Sequence, residues 1–443
     1  MKIIEYTLGI APFRRGGLPR YSTDLSDELS KDNDMYVLYP GKISFLNNKK
    51  IKVLERKTKH DFTLMEMINP LPVSLGLGIK TADEFMQPRD VTNLMEFIDK
   101  INPDVIHFHT FMGFPLEALK EIRKRKIRTV FTTHDFYGFC PKMLEKDPYD
   151  SLKYRKCSYD CMLCKDGPSY KKMLVMQSRL YEGLKNTAIM RKIRKNQKSR
   201  LNVDEGSDNQ SLDSEEVKSR YLLRKYYKEM YSLIDKFHFN STVSRDYVRH
   251  FLPNVDGKVV NITHSGLIDE RSSRKYITTP NSIIKLAYIG PYDAKKGFSE
   301  LVNCLEKVRK THKNFEVYFY GDIAEHPFFN NDWVYNMGIQ PESSMSSIYK
   351  NIDLLILPSL WHETFGFVTL EASLAGTPVL VSENVGAKDI LDKDNVFKDS
   401  NELVIKLDRV LSGNLDNIRA RVFDIPLKYK MSEHSKDIIT KFY

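Results

Sequence analysis

Long hydrophobic runs are missing from this sequence of 443 residues, and glycine and proline are sparse. No stretch approaches about 18 consecutive apolar residues, so no membrane-spanning helix is expected. With only 21 glycines and 19 prolines, the chain is neither collagen-like nor of low complexity throughout. The apolar start, Met1–Ile10, is short and contains Glu5, which favours a buried strand over a secretory signal. We therefore expect a folded, cytoplasmic protein.

The length and the charge narrow the class further. An ordinary domain has ~100–200 residues, so this chain predicts two domains. A hydrophobic fraction of 41%, with 24 tyrosines and 24 phenylalanines, excludes disorder throughout. Lysine and arginine outnumber aspartate and glutamate by 68 to 58, which gives a net charge of +10. That charge indicates an anionic partner, and nucleic acid, a phosphorylated ligand and a membrane surface all fit it.

Short apolar runs alternate with amphipathic segments in both halves of the chain. This alternation is typical of parallel sheets joined by right-handed crossovers, so it predicts an α/β fold class. The predicted strands are Ile3–Ile10, Met35–Tyr39, Asp104–His109 and Arg128–Thr133 in the first half, and Ile284–Gly290, Glu316–Gly321, Leu354–Pro358 and Pro378–Ser382 in the second. The predicted helices are Leu18–Leu29, Pro115–Lys126, Phe298–Lys310, Ser343–Lys350 and Thr369–Ala375.

The middle of the chain, about residues 165–231, has a different character. It is basic and helical in pattern from Tyr170 to Arg200, then polar over Asn202–Glu216, and helical again over Ser219–Leu233. We interpret it as an insertion within the first domain. A solvated helical face explains its charge. The alternative is a patch that contacts anionic lipid headgroups, at ~1 kcal/mol for each basic residue near the surface.

A domain boundary is predicted near Asp269–Pro280, because this polar segment precedes a fresh apolar strand. We expect a first domain at residues 1–269, which contains the insertion, and a second domain at residues 270–443. An alternative to this division is that the last helix of the chain packs back on the first domain.

Two glutamates, Glu363 and Glu371, follow the predicted strand Leu354–Pro358, with Gly366 between them. Ligands of open parallel sheets bind outside the carboxyl ends of the strands, so both carboxylates are expected near a crevice. Gly366 allows the backbone to approach a ligand closely, and the start of the next helix offers free N–H groups to phosphate oxygens. Such carboxylates can accept hydrogen bonds from vicinal sugar or ribose hydroxyls. The alternative is two glutamates with no ligand, one of them in the first turn of a helix.

The region from Pro358 through Glu363 and Glu371 to Asp389 resembles the retaining family-4 glycosyltransferases of the GT-B fold. The resemblance implies two Rossmann-like domains that face each other across a cleft. It implies that Glu363 lies by the donor sugar and that Glu371 holds the ribose of the nucleotide. It also implies that the backbone between these glutamates contacts the donor phosphates, which assigns Phe365, Gly366, Phe367 and Val368 to the donor site.

Further positions extend this resemblance. Gly290 ends a predicted strand, and Lys296 follows at the offset where the family places a lysine against the donor diphosphate. A cation beside a leaving diphosphate stabilises charge that builds up in the transition state. Pro291 stands where the family usually has an arginine. Gly338 and Ile339 stand where the second domain of the family contacts the base through backbone atoms.

The double glycine Gly16-Gly17 follows the first strand and precedes a predicted helix. Such a start can bring backbone N–H groups against an anion. Its position resembles the glycine loop that lies under the donor phosphates in the family, so both residues are assigned to donor binding. The alternative is a plain turn.

Histidines end two neighbouring strands of the predicted first domain. By the resemblance, His134 is the candidate that faces the donor sugar. His109 is the candidate that lines the acceptor side, although strand alternation puts it on the same face as His107. Asp135 is also assigned to the acceptor side, and a structural cap is the more common role for such an aspartate.

Four of the five cysteines, Cys140, Cys157, Cys161 and Cys164, lie close together in the sequence. The last pair has the tight spacing that thiolate zinc sites favour, and clustered thiols in a cytoplasmic protein indicate a metal more than a disulfide. The sequence therefore predicts a structural zinc. Disulfides, an iron–sulfur cluster and free thiols are the alternatives. Cys304 is predicted to be a core residue of a helix.

Taken together, these features predict an enzyme that transfers a sugar from a nucleotide-diphosphate donor with retention at the anomeric carbon. Glu363, Lys296 and His134 are the predicted catalytic residues. No catalytic metal is expected, because acidic pairs such as Asp32/Asp34 fit surface turns. A non-catalytic glycosyltransferase-like subunit that stabilises an active partner is the first alternative, favoured by Pro291. A nucleotide-sugar epimerase of the same fold is the second.

The expected partners follow from the same resemblance. A glycan or a lipid-linked glycan is the expected acceptor, in cell-envelope or exopolysaccharide synthesis. The basic insertion allows a peripheral contact with the inner face of the cell membrane. Nucleic acid is not an expected partner, because the sequence has no zinc finger, RNA-recognition signature or basic recognition helix.

Overall fold

The structure is a computed structural model that describes the chain outside residues 12, 15, 45–47, 75–78, 80, 140–169, 179–213, 277–281 and 425–428. Its contacts divide the chain into two units. The first comprises Met1–Asn240, Arg245–His264 and Met431–Tyr443, and the second comprises Ser241–Ser244 and Ser265–Lys430. Compared with the predicted division at 269/270, residues 265–269 belong to the second unit and the last helix belongs to the first.

The first unit is built on a sheet whose strands are β1 (Lys2–Tyr6), β2 (Asp34–Pro40), β3 (Lys52–Arg56), β4 (Thr63–Ile68), β5 (Val105–Phe108), β6 (Arg128–Thr132), β7 (Lys236–Phe239) and β8 (Gly257–Val259). Their order is β3-β4-β2-β1-β5-β6-β7-β8. Neighbours are parallel except for β3 and β4, which pair antiparallel.

The central strands of this sheet, β1 and β5, are buried almost along their whole length. Their register places Ile3 beside Val105 and Glu5 beside His107. Helices cover both faces of parallel sheets, so such strands are continuously apolar as a rule. Glu5 and His107 break that rule, and both are fully buried.

The second unit has a wholly parallel sheet with the strands β9 (Ile284–Ile289), β10 (Phe315–Tyr320), β11 (Val334–Gly338), β12 (Leu354–Leu357), β13 (Val379–Ser382) and β14 (Val396–Phe397). Their order is β11-β10-β9-β12-β13-β14. The unit therefore starts near the middle of the sheet, adds β10 and β11 on one side, and then returns past β9 to add β12, β13 and β14 on the other.

The α-helices of the described residues follow in chain order: α1 (Gly17–Leu29), α2 (Thr92–Ile101), α3 (Leu116–Lys124), α4 (Tyr170–Met176), α5 (Ser214–Ser232), α6 (Thr242–Phe251), α7 (Phe298–Arg309), α8 (Met345–Asn351), α9 (Phe367–Leu374), α10 (Ser400–Arg409), α11 (Leu415–Asp424) and α12 (Met431–Phe442). None of these helices is long and apolar enough to cross a membrane.

The predicted insertion is only partly a separate feature. Residues 165–169 and 179–213 lie outside the described residues. Helix α5, by contrast, packs Leu223, Tyr227 and Tyr231 into the main core of the first unit. This end of the insertion is therefore part of the first unit's core, which the charge pattern of the sequence concealed.

The predicted parallel strands are all present, with ends that differ by a few residues. Strand β1 stops at Tyr6, where Ile10 was the predicted end. The antiparallel pair β3–β4 and the strands β7, β8, β11 and β14 were not predicted. Strand β3 is a largely exposed edge strand with charged residues at three of its five positions, so it has no apolar run.

Candidate active site

Glycines lie at the carboxyl ends of neighbouring strands in the second unit. Gly290 follows β9 and Gly321 follows β10, and a Cβ atom on Gly321 would lie 2.8 Å from the carbonyl oxygen of Gly290. Gly321 also has a φ of 112° and donates its N–H to the carbonyl of Gly338 at 2.9 Å. Only glycine fits this approach and this conformation. The strand ends thus form a surface of bare backbone where ligands of open sheets bind.

The predicted lysine and the first predicted glutamate are in direct contact. Nζ of Lys296 lies 2.7 Å from Oε1 of Glu363, and the two side chains are 30% and 22% exposed. Lys296 ends the short 3-10 helix Ala294–Lys296. Gly297 follows with a φ of 77°, and a Cβ atom there would lie 1.8 Å from the carbonyl oxygen of Pro358. The lysine turn is therefore pressed against the end of β12.

Backbone hydrogen bonds hold the loop that carries Glu363. The N–H groups of Leu360 and Trp361 both donate to the carbonyl of Lys295 at 2.9 Å. Glu363 itself donates its N–H to the carbonyl of Asn384, and its carbonyl accepts from the N–H of Gly386, each at 2.9 Å. The position of the carboxylate is thus set by two neighbouring loops.

The residues between the two glutamates form a glycine turn that leads into a helix. Phe365 has a side chain only 2% exposed, and its carbonyl accepts from the N–H of Ala387 at 2.7 Å. Gly366 has a φ of 98°, and α9 begins at Phe367, followed by Val368. The first N–H groups of a helix have no partner within the helix, so this start can bind an anion.

Glu371 lies on α9 and accepts a hydrogen bond from a residue that the sequence analysis missed. The hydroxyl of Tyr349, on α8, donates to Oε2 of Glu371 at 2.7 Å. Tyr349 is only 2% exposed. A buried tyrosine among apolar neighbours carries no distinguishing signal in a single sequence.

The other predicted donor residues occupy the edge of the same sheet. Gly338 ends β11 with a φ of 67°, and Ile339 is 61% exposed. The side-chain oxygen of Asn336 accepts from the N–H of Gly338 at 3.1 Å and from the hydroxyl of Tyr292 at 2.7 Å. These contacts fix the backbone that is predicted to meet the base.

Pro291 replaces the arginine of the resemblance, and its carbonyl takes part in the site. The hydroxyl of Tyr288 donates to it at 2.6 Å. Burial, and next the charge of Glu363, raises the pKa of Tyr288, so this phenol remains a neutral donor. The turn after β9 is thereby held without a side-chain cation at this position.

In the first unit, the structure brings His134 and His109 together. Nε2 of His134 lies 3.1 Å from Nδ1 of His109. Nε2 of His109 lies 3.4 Å from Oε2 of Glu5, and this oxygen accepts a hydrogen bond from the hydroxyl of Ser26 at 2.5 Å. Glu5 was considered only as a residue of the first strand, and its role beside the histidines was not foreseen.

Asp135 and the double glycine have local structural roles in the first unit. Oδ1 of Asp135 accepts from the N–H of Tyr137 at 3.0 Å, and burial raises the pKa of Asp135 to about 6. Gly16 has a φ of 128° and immediately precedes α1, which begins at Gly17. Its carbonyl accepts the N–H of Arg20 at 3.2 Å, so the pair starts a helix as the sequence predicts.

A chain of hydrogen bonds with a fixed direction runs through the buried histidines. Nε2 of His238 must donate to the carbonyl of Val260, at 2.7 Å, so its Nδ1 accepts from Thr132 at 2.8 Å. The hydroxyl of Thr132 then accepts from Nε2 of His107 at 2.7 Å. Nδ1 of His107 accepts in turn from the hydroxyl of Tyr443 at 2.7 Å. A neutral imidazole has one donor and one acceptor nitrogen. The carbonyl of Val260 therefore assigns the tautomers of both His238 and His107.

Glu5, His107 and His109 place one potential metal-ligand atom each within 4.8 Å of one another. Both ring nitrogens of His107 already have hydrogen-bond partners, the hydroxyls of Tyr443 and Thr132. The trio is a buried polar cluster of the first unit, in which Oε2 of Glu5 bonds to Ser26 and Nδ1 of His109 bonds to His134.

The four clustered cysteines, Cys140, Cys157, Cys161 and Cys164, lie outside the described residues. The structural zinc stays a prediction. Cys304 is a buried thiol of α7, as predicted.

Two family models match separate parts of the chain. Residues 284–413 match a model described as glycosyl transferases group 1, and residues 15–159 match one described as glycosyltransferase family 4. The first match contains Gly290, Lys296, Glu363 and Glu371. The second contains the glycine loop and His134.

Among curated proteins, the chain is similar to an uncharacterized glycosyltransferase of Methanocaldococcus jannaschii, with 27% identity over 29% of this chain and 35% of that protein. It is also similar to a D-inositol 3-phosphate glycosyltransferase of Corynebacterium kroppenstedtii, with 23% identity over 36% of this chain and 38% of that protein. The matched segments thus span only about a third of these relatives.

The fold extends over the whole chain. An α,α-trehalose-phosphate synthase (UDP-forming) of Burkholderia xenovorans, solved with glucose-6-phosphate, superimposes with a TM-score of 0.57 at 10% identity, covering 100% of both chains. This likeness shows the architecture alone. The chain has the GT-B fold of two Rossmann-like units, and each unit carries a segment that matches a glycosyltransferase family model.

Proposed function

We propose that the chain is a glycosyltransferase that transfers a sugar from a nucleoside diphosphate donor and retains the anomeric configuration. The observation that carries the proposal is the Lys296–Glu363 pair, at 2.7 Å, beside the start of α9 and the bare strand ends. A cation, free helix N–H groups and carboxylates at the carboxyl edge of a parallel sheet suit a sugar bound to a diphosphate. Both family models support glycosyltransferase activity in general.

The site has groups that can stabilise the negative charge of the leaving diphosphate. Lys296 carries three N–H donors, of which one serves Glu363, so it can bind a phosphate oxygen as well. Together with the N–H groups at the start of α9, it would stabilise the charge that develops as the bond to the sugar breaks. In this proposal the lysine and the helix stabilise the diphosphate charge, which a bound metal ion does in metal-dependent enzymes.

The carboxylates hold the rest of the donor. Glu363 would accept hydrogen bonds from sugar hydroxyls, and Glu371 would accept them from the ribose. His134 of the first unit would orient the sugar, and Gly338 and Ile339 would meet the base through their backbone. These roles rest on the resemblance, and the contacts of Glu363 and Glu371 within the second unit support the first two.

The acceptor we propose is a glycan or a lipid-linked glycan, in the synthesis of the cell envelope or an exopolysaccharide. The basic character of residues 165–231 supports a contact with anionic headgroups at the inner face of the membrane. The binding of the chain to vesicles with and without anionic lipid tests this part.

The activity is tested by a Glu363→Gln variant in a transfer assay with a panel of nucleotide sugars. A thermal-shift screen of the same donors selects the substrate, because a bound ligand raises the unfolding temperature. Loss of the carboxylate should lower turnover by at least about 100-fold, as removal of one preorganised group does elsewhere. The matched control is Glu383→Gln, an exposed glutamate of a neighbouring loop. Equal turnover of the Glu363→Gln variant and the native chain would overturn the proposal.

A non-catalytic subunit is the second candidate, and Pro291 is the observation that favours it. A chain that binds a nucleotide sugar but transfers and hydrolyses none by itself, while it stabilises an active partner, would establish this role. Turnover by the isolated chain excludes it.

A further inference from the structure

The partly buried contact between Tyr349 and Glu371 joins two helices of the second unit. The tyrosine hydroxyl donates to one carboxylate oxygen at 2.7 Å. A hydrogen bond from a neutral phenol to a carboxylate leaves the charge in place and fixes the orientation of the group. It is therefore an arrangement that positions an acceptor and does not neutralise it.

The turn after α9 holds the backbone of Tyr349 as well. The hydroxyl of Thr377 donates to the carbonyl of Tyr349 at 2.5 Å, and the N–H of Thr377 donates to the carbonyl of Ala372 at 2.8 Å. Thr377 is fully buried. The tyrosine is thus tied to α9 both through its side chain and through its main chain.

Glu270 braces the same two helices from another side. Its carboxylate accepts from Ser346 at 2.8 Å and from Lys350 at 2.5 Å, both on α8. Its N–H donates to the carbonyl of Leu374, the last residue of α9, at 2.8 Å. Glu270 therefore contacts α8 near both of its ends and α9 at its last residue. Because these contacts hold the two helices together, the phenol of Tyr349 has little freedom to leave Glu371.

We propose that Tyr349 is a positioning residue that enables Glu371 to select ribonucleoside diphosphate donors over 2′-deoxyribonucleoside diphosphate donors. The inference rests on the proposed function, in which Glu371 binds the ribose. A carboxylate can accept hydrogen bonds from both hydroxyls of a vicinal diol, and 2′-deoxyribose offers only one. A carboxylate that is already oriented loses less conformational freedom when the diol binds.

The expected preference for ribonucleoside over 2′-deoxyribonucleoside diphosphates follows from the strength of one hydrogen bond. One hydrogen bond to a charged group corresponds to about 10- to 100-fold in affinity. The native chain should therefore bind UDP, GDP or ADP, whichever base it accepts, at least about 10-fold more tightly than the 2′-deoxy counterpart. Without the tyrosine hydroxyl the carboxylate can turn away, and this ratio should fall by about 3- to 10-fold.

The experiment measures dissociation constants by titration calorimetry for the three ribonucleoside diphosphates and their 2′-deoxy forms. The variants are Tyr349→Phe, which removes only the hydroxyl, and Glu371→Gln, which should bring the ratio close to one. The matched control is Tyr318→Phe. Tyr318 donates to Oε2 of Glu316 at 2.7 Å, the same type of contact elsewhere in this unit, so its loss should leave the ratio unchanged.

A second variant keeps the test decisive if Tyr349→Phe does not fold. Thr377→Val keeps the phenol but removes the hydrogen bond to the carbonyl of Tyr349, and we expect a decrease of about 2- to 3-fold in the ratio. Thermal unfolding of each variant shows whether it is folded before titration.

The outcomes separate this inference from the proposed function. A native ratio in Tyr349→Phe, together with a lost ratio in Glu371→Gln, overturns the role of Tyr349 and leaves the ribose site intact. Equal affinity of the native chain for ribo- and 2′-deoxyribonucleotides overturns both the inference and the proposed role of Glu371. Binding with the expected ratios but without any sugar transfer supports the inference and contradicts only the proposed enzyme activity.

Discussion

The two units differ in the residues that lie in and after the strands of their sheets. In the first unit, the strands carry histidines that bond to one another, to Thr132 and to Tyr443 inside the core. In the second unit, glycines leave the strand ends bare, and the partly exposed pair Lys296–Glu363 lies beside them. Buried polar groups need internal partners, whereas partly exposed ones can exchange a partner for a ligand. The comparison separates fully buried groups that stabilise a unit, such as His107 and His238, from a partly exposed pair that is suited to binding a ligand.

The sharpest test of this comparison is Lys296→Met. If Lys296 stabilises the leaving diphosphate, turnover should fall by about 100- to 1,000-fold, the usual cost of losing one such group. Stability should change little, because the side chain is 30% exposed and its ion pair is worth about 1 kcal/mol or less. Lys295→Met is the control, since this neighbour lies 3.5 Å from Asp293. Turnover at the native level in Lys296→Met would contradict the assignment.

A second test uses two glycines of the second unit that share a positive φ. Gly297→Ala should lower the free energy of unfolding by about 3 kcal/mol, because the new Cβ would overlap the carbonyl of Pro358 in addition to the backbone strain. At Gly413, with a φ of 113°, a Cβ meets nothing within 4 Å, so Gly413→Ala should cost only about 1 kcal/mol. Denaturant titration measures both, and equal losses would show that close packing at the lysine turn is unimportant.

The third test concerns the first unit and its response to acid. Desolvation lowers the pKa of His107, His134, His238 and His434, that of His238 to about 3. Unfolded histidine has a pKa of ~6.5, so below that pH the unfolded state binds more protons than the folded one. Stability should be complete above about pH 6.5 and should then fall toward about pH 3. The loss is up to about 1.4 kcal/mol per pH unit for each such histidine.

Carboxyl groups of the same unit act in the opposite direction, because burial raises the pKa of Asp27 and Glu84 as well as that of Asp135. Burial raises the pKa of Asp135 to about 6, so below that pH its protonation favours the folded state and offsets roughly one histidine. The net effect remains a loss of stability as the pH falls. Unfolding in denaturant at pH 7, 6 and 5 measures it, and a flat or rising stability would show that the histidine cluster is not neutral in the folded state.

Local patterns account for most of what was predicted correctly. The order of strands and helices, the glycine before α9 and the placement of Glu371 near the start of that helix follow from periodicity and spacing over short stretches. The fold class is confirmed by the whole-chain likeness. The exposed strand β3 and the core role of α5 were missed, because neither has an apolar pattern that separates it from a solvated segment.

The sequence by itself determined that two α/β units exist and which charged residues stand at their strand ends, because these properties reside in short, contiguous segments. Only the tertiary structure decided which of these residues meet. Lys296 pairs with Glu363 across 67 positions, Tyr349 reaches Glu371 from another helix, and Tyr443 closes a chain of hydrogen bonds through His107. Such contacts depend on how the strands are ordered in the sheet and how the helices pack on it, and local propensity carries no information about either.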